Sequence, residues 1–134
     1  MITRYHLRVQ DIMQTDVATI LGDATIQEAV SLMRYEGVRS LLVVPRDGHA
    51  QYGIITYADI VGKVIAEGLD PRKITVDDVM IPQAYFVSPD FDVQAAARFF
   101  RHHHIGHAPV LDDSGNLLGV LSSTDLVTES ITEP

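Results

Sequence analysis

Apolar residues in this chain recur first as short runs and then at helical spacing, and the whole alternation happens twice. The run Val17-Ala-Thr-Ile-Leu21 is rich in β-branched residues, is closed by Gly22-Asp23, and predicts a short strand. Ile26, Ala29, Val30 and Met33 then fall at i, i+3, i+4 and i+7, one apolar face of a helix. Thr25 and Glu28 frame its start as a capping box, and Gly37 stands where a left-handed C-terminal cap is expected. Ser40-Leu-Leu-Val-Val44 predicts a buried strand, Pro45-Arg-Asp-Gly48 a turn, and Tyr52-Gly-Ile-Ile55 the next strand. A helix follows from about Thr56 and stops before Gly68, giving the order β-α-β-β-α.

The second half repeats that order. Tyr85-Phe-Val87 predicts the strand and Ser88-Pro-Asp90 its break, while Asp92 caps a helix with Val93, Ala96, Ala97 and Phe100 on its buried face. Ala108-Pro-Val-Leu111, the Asp112-Asp-Ser-Gly115 turn and Leu117–Leu121 predict the strand pair, with a last helix after Ser122. The register can be checked. Met13 and Met80 stand 67 apart, as do Asp11 and Asp78, Ile26 and Val93, Ala29 and Ala96, Val43 and Val110, and Gly48 and Gly115. One residue is lost before Gly53, so Gly53 matches Gly119 and Asp59 matches Asp125 at 66. A tandem of units this small implies that neither buries its apolar face alone. The expected partition is a first repeat with its lead-in over 1–66, a linker over 67–75 beginning Glu67-Gly-Leu-Asp-Pro71, and a second repeat over 76–134. The first crossover of each unit should be right-handed, with both helices on one face of a small sheet.

The most specific pattern is Gly53-Ile-Ile-Thr56-Tyr-Ala-Asp59-Ile60 and its echo Gly119-Val-Leu-Ser122-Ser-Thr-Asp125-Leu126. Each is a glycine, a short apolar strand, a hydroxyl residue, and an aspartate three positions on. T-x-x-D is itself a helix-capping box, with the hydroxyl at the N-cap and the carboxylate in the first turn. A carboxylate fixed there can also accept hydrogen bonds from vicinal hydroxyls, and free backbone N–H groups beside it suit an anion. Thr124 adds a spare hydroxyl in the second copy.

Composition narrows the class. The chain has 134 residues, 46% hydrophobic and 21% charged, enough to form a core and unlike a disordered segment. No apolar run approaches the roughly 18 residues of a membrane span, and the first residues lack a signal peptide's apolar stretch, so the cytoplasm is expected. With no cysteine there is no disulfide, thiol nucleophile or cysteine zinc site. A net charge of −8 argues against nucleic acid or an anionic membrane as partner.

The lead-ins Asp11-Ile-Met13 and Asp78-Val-Met80, the Ile105-Gly-His-Ala-Pro-Val-Leu-Asp112 segment and the two signatures together resemble the tandem cystathionine-β-synthase (CBS) domain pair, or Bateman module. The resemblance covers roughly residues 9 to 128 and leaves no room for a catalytic domain, which implies a stand-alone pair. It implies a mixed α/β (α+β) fold of two β-α-β-β-α repeats packed sheet to sheet about a pseudo-twofold axis, a homodimer forming a disc of four repeats, and signalling to an effector protein. It also implies no cofactor, but an adenosine-containing effector: AMP, ADP, ATP, S-adenosylmethionine or NAD. Carried onto this sequence, Thr56 and Asp59 would face Ala84, Tyr85 and Ile105-Gly106-His107. Ser122 and Asp125 would face Thr15, Val17, Ala18 and Val38-Arg39-Ser40. Tyr85 would stack on adenine or simply fill its cleft. Arg39 would fork a phosphate or remain a solvated charge, and His107, where other members carry Arg or Lys, offers a weaker donor. The two clefts are therefore expected to be unequal.

Two other readings stay open. One is a ligand-free interaction module whose boxes are only caps. The other is a metal-responsive protein using the run Arg101-His-His-His-Ile-Gly-His107. His103, His104 and His107 are weak ligand candidates, because Gly106 is expected to end the helix between His103 and His107 and spoil an i, i+4 pair, and no resident metal is expected. No phosphate loop, dinucleotide fingerprint, nucleophile elbow or HExxH motif is present, and Asp59 and Asp125 lie in separate copies rather than as a catalytic pair, so no enzyme activity is expected.

Overall fold

In the computed structural model, which describes residues 1–46 and 51–133, the elements run β1 (Ile2–Thr3), α1 (Val9–Ile12), β2 (Thr19–Ile20), α2 (Ile26–Glu36), β3 (Ser40–Val43), β4 (Gly53–Thr56), α3 (Tyr57–Ile60). A π-helical turn (Val61–Ile65) extends α3, and α4 (Val76–Val79), α5 (Val93–His103), β5 (His107–Leu111), β6 (Leu117–Ser122), α6 (Ser123–Ser130) and β7 (Ile131–Thr132) complete the chain. The fold is mixed α/β, with β-α-β-β-α order in the first repeat. The expected Pro45–Gly48 turn reaches residues 47 and 48, outside the described residues.

Packing does not follow the sequence repeats. One compact unit is Met1–Asp16 with Tyr85–Pro134, and the other is Val17–Ala84. Each unit therefore takes its lead-in helix from the other repeat. In the Val17–Ala84 unit the core joins Ile26, Ala29 and Met33 of α2 to Leu41, Val43, Ile55 and Ile60, and α4 supplies Val76 and Val79. The other core joins Val93, Ala96 and Phe100 of α5 to Ala108, Val110, Leu121 and Leu126, and α1 supplies Val9 and Ile12. These positions correspond one to one across the repeat. Val64, deeply buried in the first core, is matched by buried Ser130, whose hydroxyl turns back to donate to the Leu126 carbonyl. Residues 67–75, read as a linker, are bonded into the Val17–Ala84 unit: the Ile74 carbonyl accepts from the Ile26 N–H and that of Pro71 from the Gln27 N–H, both at 3.0 Å.

The glycine that opens each signature is explained by the exchanged lead-in. Ile81 pairs with Ile54 and Gln14 with Val120, laying each lead-in against a hairpin. A Cβ on Gly53 would stand 2.8 Å from Met80 Sδ, and one on Gly119 would stand 2.5 Å from the Gln14 carbonyl oxygen. Only glycine lets the backbones approach so closely. The lead-in aspartates cap these short helices: Asp11 accepts from the Arg8 N–H at 2.9 Å, and Asp78 from the Thr75 N–H at 3.1 Å.

Three expectations need correction. The strand at Tyr85–Val87 shrinks to a single parallel bridge between Val87 and Val110. In the other repeat, Leu42 donates its N–H to the Ala18 carbonyl at 3.2 Å, beside the parallel β2–β3 pair. Pro109 occupies the position of Leu42 and has no N–H to give, so the ladder cannot extend to Tyr85. Ala97, expected on the buried face of α5, is exposed. The helix α5 ends at His103, with His104 left-handed at φ 55°, rather than at Gly106. His104 matches Gly37, which adopts φ 68° at the end of α2 as expected.

Candidate functional site

Both signatures sit where a hairpin's outgoing strand turns into a helix. In the Val17–Ala84 unit, Ser40 lies opposite Thr56 across β3 and β4, and the Tyr57 N–H donates to the Arg39 carbonyl at 3.1 Å. This places Arg39, Ser40, Thr56 and Asp59 at one end of one sheet. Ala18 lies alongside through its carbonyl bond to Leu42, with Val17 next to it. The second unit repeats the arrangement: His107 lies opposite Ser122, and the Ser123 N–H donates to the Gly106 carbonyl at 2.9 Å.

The capping boxes are complete and nearly superposable in their bonds. Asp59 Oδ2 accepts from the Thr56 N–H at 2.9 Å and from its hydroxyl at 3.0 Å, and Thr56 Oγ1 accepts from the Asp59 N–H at 3.3 Å. Asp125 Oδ2 accepts from the Ser122 N–H and hydroxyl, both at 3.0 Å, and Ser122 Oγ accepts from the Asp125 N–H at 3.2 Å. Each box satisfies helix-start donors that would otherwise be orphaned, and it fixes the carboxylate with one oxygen turned inward.

The second oxygens differ. Asp59 Oδ1 has Lys63 Nζ at 4.0 Å, one turn along the helix, while that ammonium donates to the Val79 carbonyl at 2.9 Å. Asp125 Oδ1 instead accepts a 3.0 Å bond from the Gln14 side-chain amide. Asp125 is buried and Asp59 half-buried. The repeat puts Ile81 where Gln14 stands and Glu129 where Lys63 stands, so each unit lacks the other's device. Neither Gln14 nor Lys63 belongs to a motif, and the Gln14/Ile81 and Lys63/Glu129 differences are two among many between the copies, such as Thr15/Pro82 and Arg39/Gly106, so nothing in the sequence sets them apart.

The remaining site residues are placed as follows. Arg39 is exposed, and among the described residues no ion pair engages it. Thr15 is exposed next to Gln14, and Thr124 is exposed in the first turn of α6, its carbonyl accepting from the Thr128 hydroxyl at 2.9 Å. Ala84 is buried in the Val17–Ala84 unit, its N–H donating to the Tyr52 carbonyl at 3.0 Å. Tyr85 belongs to the other unit and is 51% exposed. Its ring stacks on His103 at 4.0 Å and meets Phe99 edge-on at 6.1 Å. His103 also lies against Phe99 at 4.4 Å, which turns the middle of the histidine run into an aromatic cluster. Among the described residues no group of three or more His, Cys, Asp or Glu side chains converges to hold a metal. No described helix is long and apolar enough to cross a membrane.

The CBS domain family model matches residues 9–66 and again 76–131, most of the chain and in the register of the repeat. This chain belongs to the CBS-domain family. The CBS domain-containing protein YhcV of Bacillus subtilis is 32% identical over 123 residues, 92% of this chain and 85% of that protein. Among solved structures, a hexameric CBS-CP12 protein from bloom-forming cyanobacteria is 40% identical with a TM-score of 0.88, over 92% of this chain and 68% of that one. A CBS domain pair in complex with methylthioadenosine and S-adenosyl-L-methionine is 28% identical with a TM-score of 0.75, over 89% of this chain and 91% of that one. The chain spans 60% of a Methanopyrus kandleri relative and 23% of the homoserine O-acetyltransferase of Methanosalsum zhilinae. CBS pairs thus occur both in small proteins and as segments of much longer chains.

Proposed function

We propose that this CBS pair is a regulatory, non-catalytic module that binds an adenosine-containing effector and passes its occupancy to a partner protein. The observation that carries this reading is the pair of buried or half-buried carboxylates, Asp59 and Asp125, held rigid in matched capping boxes at matched hairpin ends. A ribose presents two adjacent hydroxyl donors, and a fixed carboxylate is their natural acceptor. A related CBS pair has been crystallised with two adenosyl compounds, which supports the same ligand class here. Arg39, with its guanidinium free of ion pairs among the described residues, and Ser40 are the groups we assign to a phosphate. His107, Thr124, Thr15, Val17, Ala18, Ala84 and Tyr85 complete the proposed lining. Self-association as a dimer and a cytoplasmic setting belong to the same proposal; the hexameric cyanobacterial relative supports assembly in general.

A competing reading, a ligand-free interaction module, draws on the fact that both carboxylates already have local partners. A thermal-shift panel of AMP, ADP, ATP, S-adenosylmethionine, NAD and Zn²⁺ separates the readings. A ligand present at a hundred times its Kd adds about 2.7 kcal/mol of stability. At least one adenosyl compound is expected to raise the melting temperature. No shift with any of them at millimolar concentration contradicts the proposal, and a chelator-sensitive Zn²⁺ shift alone favours metal sensing.

A further inference from the structure

We propose that Gln14 is a specificity-determining residue that holds the Asp125 half-site closed, so that ribose hydroxyls engage Asp59 first and Asp125 only after Gln14 is displaced. This rests on the adenosyl reading above. The argument is one of acceptor capacity. A carboxylate has about four lone-pair sites, and the capping box uses two of them on one oxygen in both copies. On Asp59 the other oxygen has no hydrogen-bond donor among the described residues: Lys63 Nζ is 4.0 Å away, beyond hydrogen-bonding distance, and is committed to the Val79 carbonyl. On Asp125 the corresponding oxygen is already bonded to the Gln14 amide at 3.0 Å. Burial of Asp125 leaves little room for a hydroxyl to add beside that amide.

The device is specific to one copy. Gln14 is anchored by two backbone bonds to Val120, both at 2.9 Å, so its side chain leaves from a fixed point. Ile81, its counterpart, is anchored to Ile54 in the same way but has no polar atom to offer Asp59. Charge reinforces the difference. Lys63 stands one turn after Asp59, with its ammonium 4.0 Å from Asp59 Oδ1, and the repeat puts Glu129 in the same position after Asp125, so the charge one turn beyond the carboxylate is opposite in sign in the two units.

Adenosine and 2′-deoxyadenosine, which carry no phosphate, isolate the ribose contact. In an Asp59→Ala background, Gln14→Ile, the residue of the other repeat, should tighten adenosine binding about tenfold or more, the weight of one charge-assisted hydrogen bond no longer displaced. 2′-Deoxyadenosine, lacking one hydroxyl, should gain much less. Gln14 is exposed, and Gln14→Ala serves as a second variant should Gln14→Ile fail to fold. The mirror substitution Ile81→Gln in an Asp125→Ala background should weaken adenosine binding. Unchanged or weaker adenosine binding by both Gln14 variants overturns the role of Gln14 while leaving the adenosyl reading standing. Failure of the wild-type chain to bind any of adenosine, AMP, ADP, ATP, S-adenosylmethionine and NAD overturns both.

Discussion

The two compact units share their core almost residue for residue and part company at one oxygen atom. Ile26, Ala29, Met33, Leu41, Val43, Ile55 and Ile60 in one match Val93, Ala96, Phe100, Ala108, Val110, Leu121 and Leu126 in the other. The boxes on Asp59 and Asp125 match bond for bond. Yet the outer oxygen of one faces an ammonium and that of the other an amide. These positions stay apolar in both copies because each faces a close-packed core, even where side-chain volume differs, as between Leu41 and Ala108. Polar positions around the carboxylates carry no such constraint, so they are where two copies of one fold acquire different chemistry.

The largest test of this comparison concerns the two glycines. A Cβ at Gly119 would stand 2.5 Å from the Gln14 carbonyl oxygen, whereas at Gly53 the matching Ile81 carbonyl oxygen is 3.0 Å away and the nearer contact, at 2.8 Å, is the thioether of Met80, which can swing aside. Gly119→Ala should therefore cost about 3 kcal/mol and Gly53→Ala only about 1 kcal/mol, read from denaturant midpoints. Equal costs would mean that the two lead-ins yield equally, against the geometry described. A smaller effect is expected where the copies differ in backbone strain. His104 holds φ 55° where Gly37 holds φ 68°, so His104→Gly should stabilise by about 1 kcal/mol and Gly37→Ala should destabilise by a similar amount. A loss of stability in His104→Gly would show that its side chain contributes more than its conformation costs.

Much of this was legible in the sequence, because periodicity, caps and turns are local. The face of α2, its Thr25 cap and its Gly37 stop, and both T/S-x-x-D boxes were read from spacing alone. The exchange of lead-ins was not, because Val9–Met13 and Val76–Met80 have the same pattern and either would fit either hairpin; which one docks is a long-range matter. The lost strand at Tyr85 was readable in principle, since Pro109 stands opposite Leu42 in the repeat, but it required asking where each N–H goes rather than which residues favour strands. Gln14 lay outside every motif. Its role depends on a contact across 111 positions of sequence that only the fold brings about.

The carboxylates themselves are the central claim. Calorimetric titration of the wild-type chain, Asp59→Ala, Asp125→Ala and the double variant with whichever adenosyl compound gives the largest thermal shift tests it most directly. Saturable binding in the wild type should weaken more in Asp59→Ala than in Asp125→Ala and vanish in a double variant that remains folded. A folded double variant that still binds with wild-type affinity would contradict it.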